Sequence, residues 1–124
     1  MEKIVIATPN APGAIGPYSQ GWTVGDFVYT SGQIPVDPAT GAVPGGIAAQ
    51  AEQSCKNVGA ILEAAGVTLE SVFKTTCFLA DMGDFAAFNE VYAKYFTTKP
   101  ARSCVAVKDL PKGVLCEIEA VAVK

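Results

Sequence analysis

An arginine and two glutamates stand where a strand-rich sequence ordinarily keeps apolar side chains. In Pro100-Ala101-Arg102-Ser103-Cys104-Val105-Ala106-Val107, strand alternation puts Arg102 and Cys104 on one face. A guanidinium among small apolar neighbours requires an anionic partner, and its planar fork fits a carboxylate through two parallel hydrogen bonds. That partner is either a ligand or a structural glutamate, Glu117 or Glu119. The two glutamates share a face of the last strand, roughly 7 Å apart at two-residue spacing. Partial burial and mutual repulsion both favour the protonated form, which suits a group that exchanges a proton near neutral pH. An exposed face, or carboxylates paired at a subunit contact, accounts for them equally well.

Tyr18 ends a Pro-Gly loop in Gly16-Pro17-Tyr18-Ser19-Gln20-Gly21, where its ring and hydroxyl either overhang a cleft or simply pack. Thr30-Ser31-Gly32-Gln33-Ile34-Pro35 carries a glycine at a strand end. Ser31 and Gly32 can there bring backbone groups close to a ligand, or form an ordinary bend. Cys104 reads as a core thiol, inert in apolar surroundings. The sequence has no histidine. That removes Ser-His-Asp and Cys-His catalysis and His-based metal sites, and leaves acid–base work to Asp, Glu, Lys, Tyr, Cys or water. No GxxxxGK(S/T) or GxGxxG phosphate loop exists, so nucleotide chemistry loses its usual signals.

The elements that must hold these residues follow from periodicity. Residues 3–7 are a short strand, and residues 8–18, with three prolines and two glycines, form an ordered irregular loop. Residues 19–24 and 27–32 read as a hairpin turning at Gly25-Asp26. Pro35 to Gly46 is a second turn-rich loop. Ile47, Ala51, Cys55 (or Ser54), Val58, Ile61, Leu62 and Ala65 recur at helical spacing over 47–65, with Gly66 as the stop. A strand over 70–80 precedes a second helix, which Asp84 can cap and in which Phe85, Phe88, Val91, Tyr92 and Tyr95 mark the buried stripe. Strands at about 101–107 and 113–123 flank the turn Leu110-Pro111-Lys112-Gly113. The order is βββαβαββ, an α+β arrangement with both helices on one face of a mixed sheet.

The bulk composition points the same way. A chain of 124 residues suits one domain, spanning 1–124. Half of its residues are hydrophobic and only 17% are charged, against roughly 25% in an ordinary soluble domain. The sheet face without helices remains mostly apolar, so a second copy of the chain is the expected cover. Nine Lys and Arg against twelve Asp and Glu leave a net charge of −3 with no basic cluster, which disfavours nucleic acid and anionic membrane as partners. The N-terminal apolar run, Ile4 to Ala7, is too short for a signal sequence, no stretch approaches a membrane span, and the four cysteines form no CxxC pair. A cytoplasmic protein is expected.

Taken together, these segments resemble the RidA/YjgF family of reactive intermediate deaminases, also described as 2-iminobutanoate/2-iminopropanoate deaminases. The matching stretches are Ala14-Ile15-Gly16-Pro17-Tyr18-Ser19-Gln20, Thr30-Ser31-Gly32-Gln33-Ile34-Pro35-Val36 and Lys74-Thr75-Thr76. Phe88-Asn89-Glu90-Val91-Tyr92, Pro100 to Val105, Leu110-Pro111-Lys112-Gly113 and Glu117-Ile118-Glu119-Ala120 follow in family order. They cover almost the whole chain.

The resemblance implies a chorismate-mutase-like fold assembled as a homotrimer around a central β-barrel, with ligand clefts between subunits. It implies hydrolysis of 2-iminobutanoate, 2-iminopropanoate and their enamine tautomers to 2-oxo acids and ammonia, with no cofactor and no metal. These imines arise when pyridoxal-phosphate enzymes dehydrate threonine or serine. By the same resemblance Arg102 pairs with the substrate carboxylate, Glu117 positions water and exchanges a proton, and Tyr18 hydrogen-bonds near the reacting centre. Ser31, Gly32 and the Cys104 backbone contact the ligand, and Asn89 lines the cleft. The short segment Tyr95-Phe96-Thr97-Thr98-Lys99-Pro100 carries Lys99 where many relatives have an aromatic residue, which bears on substrate preference. The alternatives are a 2-oxo-acid-sensing trimer without turnover and a chaperone-like partner-binding protein.

Overall fold

The computed structural model describes residues 1–124. Eight principal elements run in chain order: β1 (Lys3–Ile6), β2 (Gly21–Val24), β3 (Phe27–Thr30), α1 (Ile47–Ala64), β4 (Val72–Leu79), α2 (Phe85–Tyr95), β5 (Ala101–Ala106) and β6 (Cys116–Val123). The strands form one six-stranded sheet in the order β1-β2-β3-β6-β4-β5. Only β4 and β5 pair in parallel; the other neighbours are antiparallel. The βββαβαββ order read from periodicity and the mixed sheet therefore agree with the structure.

Both helices cover the same face. On β6, Cys116, Ile118, Ala120 and Ala122 point into the core, as do Thr75, Cys77 and Leu79 on β4. Against them α1 packs Ala51, Cys55, Val58, Ile61 and Leu62, all fully buried. Each large aliphatic side chain removed from water in this way contributes about 1.5–3 kcal/mol. The end of α1 explains why it stops where it does. Gly66, at φ 83, takes the left-handed conformation, Val67 N donates to Leu62 O and Gly66 N to Glu63 O. A residue with a Cβ would be strained at that position.

The opposite face has no helix. Val5, Trp22, Tyr29 and Val121 stand side by side across β1, β2, β3 and β6, with Phe27 packed edge-on against Phe73 beside them. Trp22 is 43% and Tyr29 46% exposed. This is the uncovered apolar face that the alternation of the last strand predicted.

Four local expectations change. Asp84 makes no capping bond to α2; Asp81 accepts from Gly83 N instead and closes the 3₁₀ turn Met82–Asp84 that leads into the helix. Of the aromatic stripe of α2, only Phe88 and Tyr92 are buried, while Phe85, Val91 and Tyr95 pack at the margin, because this helix lies over the edge strand β5. Cys104 is half-buried rather than in the core for the same reason. The expected strand over 27–32 stops at Thr30, and Gln33 rejoins the sheet by a single bridge to Ile118.

Candidate active site

The crossover β4–α2–β5 builds one half of the site. Parallel register sets Arg102 beside Thr75 and Cys104 beside Cys77, so both Arg102 and Cys104 face the helices. The helix α2 then passes over Arg102. Its Asn89 Oδ1 accepts a hydrogen bond from Arg102 Nη1 at 2.8 Å, and the guanidinium carbon lies 4.7 Å from the Tyr92 ring centroid and 5.5 Å from that of Phe85. Neither Glu117 nor Glu119 pairs with it, and the one ion pair in the chain joins Lys56 to Glu52. The structural salt bridge is therefore absent. Asn89 and two rings orient the cation without neutralising it, which leaves its charge and most of its N–H donors for an anion.

The other half lies on the helix-free face. Glu117 sits opposite Phe78 on β4, which places its carboxylate on the side of the sheet away from Arg102. It lines a cleft of about 760 Å³ together with Tyr18, Ser31, Gly32, Pro111 and Lys112. A Cβ on Gly32 would collide with the Glu117 carboxylate, so only glycine permits this approach. Burial, and then repulsion from Glu119, push the Glu117 carboxyl above the usual glutamate range. This is the protonation behaviour expected from the spacing of the two glutamates.

The loop that carries Tyr18 is held by one side chain. Gln20 Oε1 accepts from Thr8 N at 2.7 Å, and its Nε2 donates to the carbonyls of Thr8, Ala11 and Pro12. Ser31 Oγ donates to Ser19 O at 2.6 Å, so its proton serves the loop while its lone pairs stay open to a ligand. Sequence reasoning assigned no role to Gln20 or Lys112. A polar residue entering an apolar strand is the signal that could have found Gln20. For Lys112 only the structure shows the left-handed backbone, φ 58, that puts it on the cleft wall.

The thiols add no chemistry of their own. Burial raises Cys55 far above its usual range, Cys77 to about 12 and Cys116 to about 11. At Cys104 burial outweighs the lowering effect of Arg102, so the thiol stays protonated. Nowhere do three Cys, Asp or Glu side chains converge into a metal-ligating cluster. A single chain thus brings Tyr18, Ser31, Gly32 and Glu117 to one cleft, and gathers Arg102, Asn89 and Cys104 on the opposite face.

Known proteins resemble this chain along its whole length. The model of the family described as Endoribonuclease L-PSP matches residues 8–124. A 2-iminobutanoate/2-iminopropanoate deaminase of Escherichia coli strain K12 is 57% identical over 123 residues, 96% of each chain. One of the same name from Salmonella typhimurium is 58% identical with the same coverage. The crystal structure of E. coli TdcF with bound serine superposes with a TM-score of 0.94 at 50% identity, covering 98% of each chain. The E. coli YjgF crystal structure gives 0.95 at 54% identity.

Proposed function

The chain belongs to the Endoribonuclease L-PSP (RidA/YjgF) family, and from that membership we propose that it hydrolyses 2-iminobutanoate, 2-iminopropanoate and their enamine tautomers to 2-oxo acids and ammonia. It is an enzyme, a deaminase acting on a carbon–nitrogen double bond. The observation that carries the reading is Arg102, a braced and unneutralised guanidinium suited to a small carboxylate. A relative that holds serine, itself a small amino acid carboxylate, supports the same ligand class. The family label names a ribonuclease, but this chain has no histidine and a net charge of −3, which suits neither phosphate binding nor His-based cleavage.

The working unit is a homotrimer of 1–124 domains in the cytoplasm, with the helix-free faces lining a central barrel. The exposed Trp22, Tyr29, Phe27 and Phe73 support this, since such a patch is costly to leave in water. Separation of Arg102 from Glu117 by the sheet supports a site shared between subunits: Arg102 and Asn89 from one, Tyr18, Ser31, Gly32 and Glu117 from its neighbour. The Cys104 backbone, on the edge strand beside Arg102, completes the substrate contacts.

In that arrangement Arg102 holds the substrate carboxylate and fixes the imine carbon. Glu117 orients a water, takes one of its protons as the oxygen attacks that carbon, and passes it to nitrogen to give a carbinolamine. It then takes the carbinolamine hydroxyl proton and passes that to nitrogen as well, so the C–N bond breaks, ammonia leaves and the carbonyl forms. Tyr18 hydrogen-bonds at the reacting centre. Imine hydrolysis is intrinsically easy, so positioning and one proton-shuttling group suffice. Neither nucleic acid nor membrane enters this reading, and no helix is long and apolar enough to cross a membrane.

A threonine dehydratase coupled to this protein tests the reaction through the rate of 2-oxobutanoate formation. Acceleration that saturates with the imine is expected; none from folded protein, with threonine or serine as source, sinks it. Gly32→Ala should cost at least about tenfold in this assay, because displacement of a catalytic group by an ångström already has effects of that order. Its Tm should change little, since Gly32 lies on the cleft wall. Activity within twofold of wild type would show that the Glu117 carboxylate is not needed at this place.

A further inference from the structure

The uncommitted features of the molecule include one buried polar pair with no evident structural need. Thr75 Oγ1 and the Tyr92 hydroxyl lie 2.6 Å apart, buried between β4 and α2. Thr75 is 1% exposed and is the residue that the parallel register sets beside Arg102. The Tyr92 ring carries the guanidinium at 4.7 Å and stacks on Phe96 at 4.5 Å with the planes 24° apart. Its hydroxyl is thus anchored in the core while its face meets the cation.

We infer that Tyr92 and Thr75 are positioning residues for Arg102: the buried hydroxyl pair locks the ring, and the ring sets the plane in which the guanidinium receives a carboxylate. An arginine side chain carries much rotamer entropy, lost on binding unless the free protein already restrains it. Asn89 fixes one edge of the fork and the ring fixes its plane. Phenylalanine in place of Tyr92 would keep the face but leave it free to tilt. A phenol–threonine bond is also an expensive way to fill a core, because either partner alone is left unsatisfied. The core requires no hydroxyl there; the orientation of Arg102 does.

The ligand in this inference rests on the deaminase reading, whereas the restraint on Arg102 does not, and two measurements separate them. Tyr92→Leu and the double variant Thr75→Val/Tyr92→Phe, which removes both hydroxyls and orphans neither, are compared with wild type. The first measurement is the coupled assay. The carboxylate grip serves ground and transition states alike, so KM should rise about tenfold in Tyr92→Leu and about threefold in the double variant, with kcat within about twofold. The second is the nuclear magnetic resonance order of the Arg102 Nε–H in ligand-free protein, assigned through Arg102→Lys, which should fall in both variants. Unchanged KM in folded variants overturns the inference, and so does unchanged Nε–H order. If wild type turns over no imine, the deaminase reading fails. The inference then stands or falls on the Nε–H order together with weakened binding of 2-oxobutanoate.

Discussion

Mixing Arg102→Ala subunits with Glu117→Gln subunits is expected to restore about a quarter of the wild-type kcat/KM, although each variant alone keeps about a hundredth of it or less. The two residues lie on opposite faces of one sheet, Arg102 beside Thr75 and Glu117 opposite Phe78. No rotamer brings them together within a chain. On the proposed mechanism Arg102→Ala removes a charge-assisted double hydrogen bond to the carboxylate, so a loss of at least about a hundredfold in kcat/KM is expected. By the same proposal Glu117→Gln removes the proton exchange instead. In a randomly mixed ring, about one interface in four joins an intact Arg102 to an intact Glu117. The measurement is 2-oxobutanoate formation after co-expression, with mixed oligomers verified by native mass spectrometry. Activity no greater than the sum of the parents, with mixed oligomers present, would refute the shared site.

Glu117→Gln alone should lower kcat by about 10²- to 10⁴-fold, the usual value of a positioned acid–base group, while 2-oxobutanoate still binds through Arg102. The pH profile adds a finer check. Burial and then Glu119 hold the Glu117 carboxyl above the ordinary glutamate range. The proposed mechanism needs the carboxylate to take a proton from water, so activity should fall as pH drops through this raised value. Glu119→Gln removes the repulsion and leaves the burial, and the acidic limb should therefore move to lower pH by part of the shift. A limb that stays in place, or moves upward, would show that another group sets it.

Much of the fold was legible because it rests on local periodicity. Ile47 to Leu62 at helical spacing, Gly66 as the stop, and alternation in Cys116–Val123 each depend on a residue's neighbours in sequence, and each agrees with the structure. The chemistry was legible in type: no histidine, one arginine set mid-strand, and two glutamates sharing a face. Those choices are made by residue identity, and no folding changes them.

Sequence could not decide which groups meet. Alternation puts Arg102 and Cys104 on one face and Glu117 and Glu119 on one face, but says nothing about whether the two faces coincide. That depends on the register of β5 and β6 against β4, set by tertiary pairing across the α2 crossover. The same register excludes the Arg102–glutamate salt bridge, leaves Cys104 half-exposed on an edge strand and sets a cation over the ring of the buried Tyr92. Sequence by itself determined the elements and the reactive residue types, because propensity and periodicity act within a few residues. Only the tertiary structure decided which of those residues share a face of the sheet, because strand register is a long-range choice.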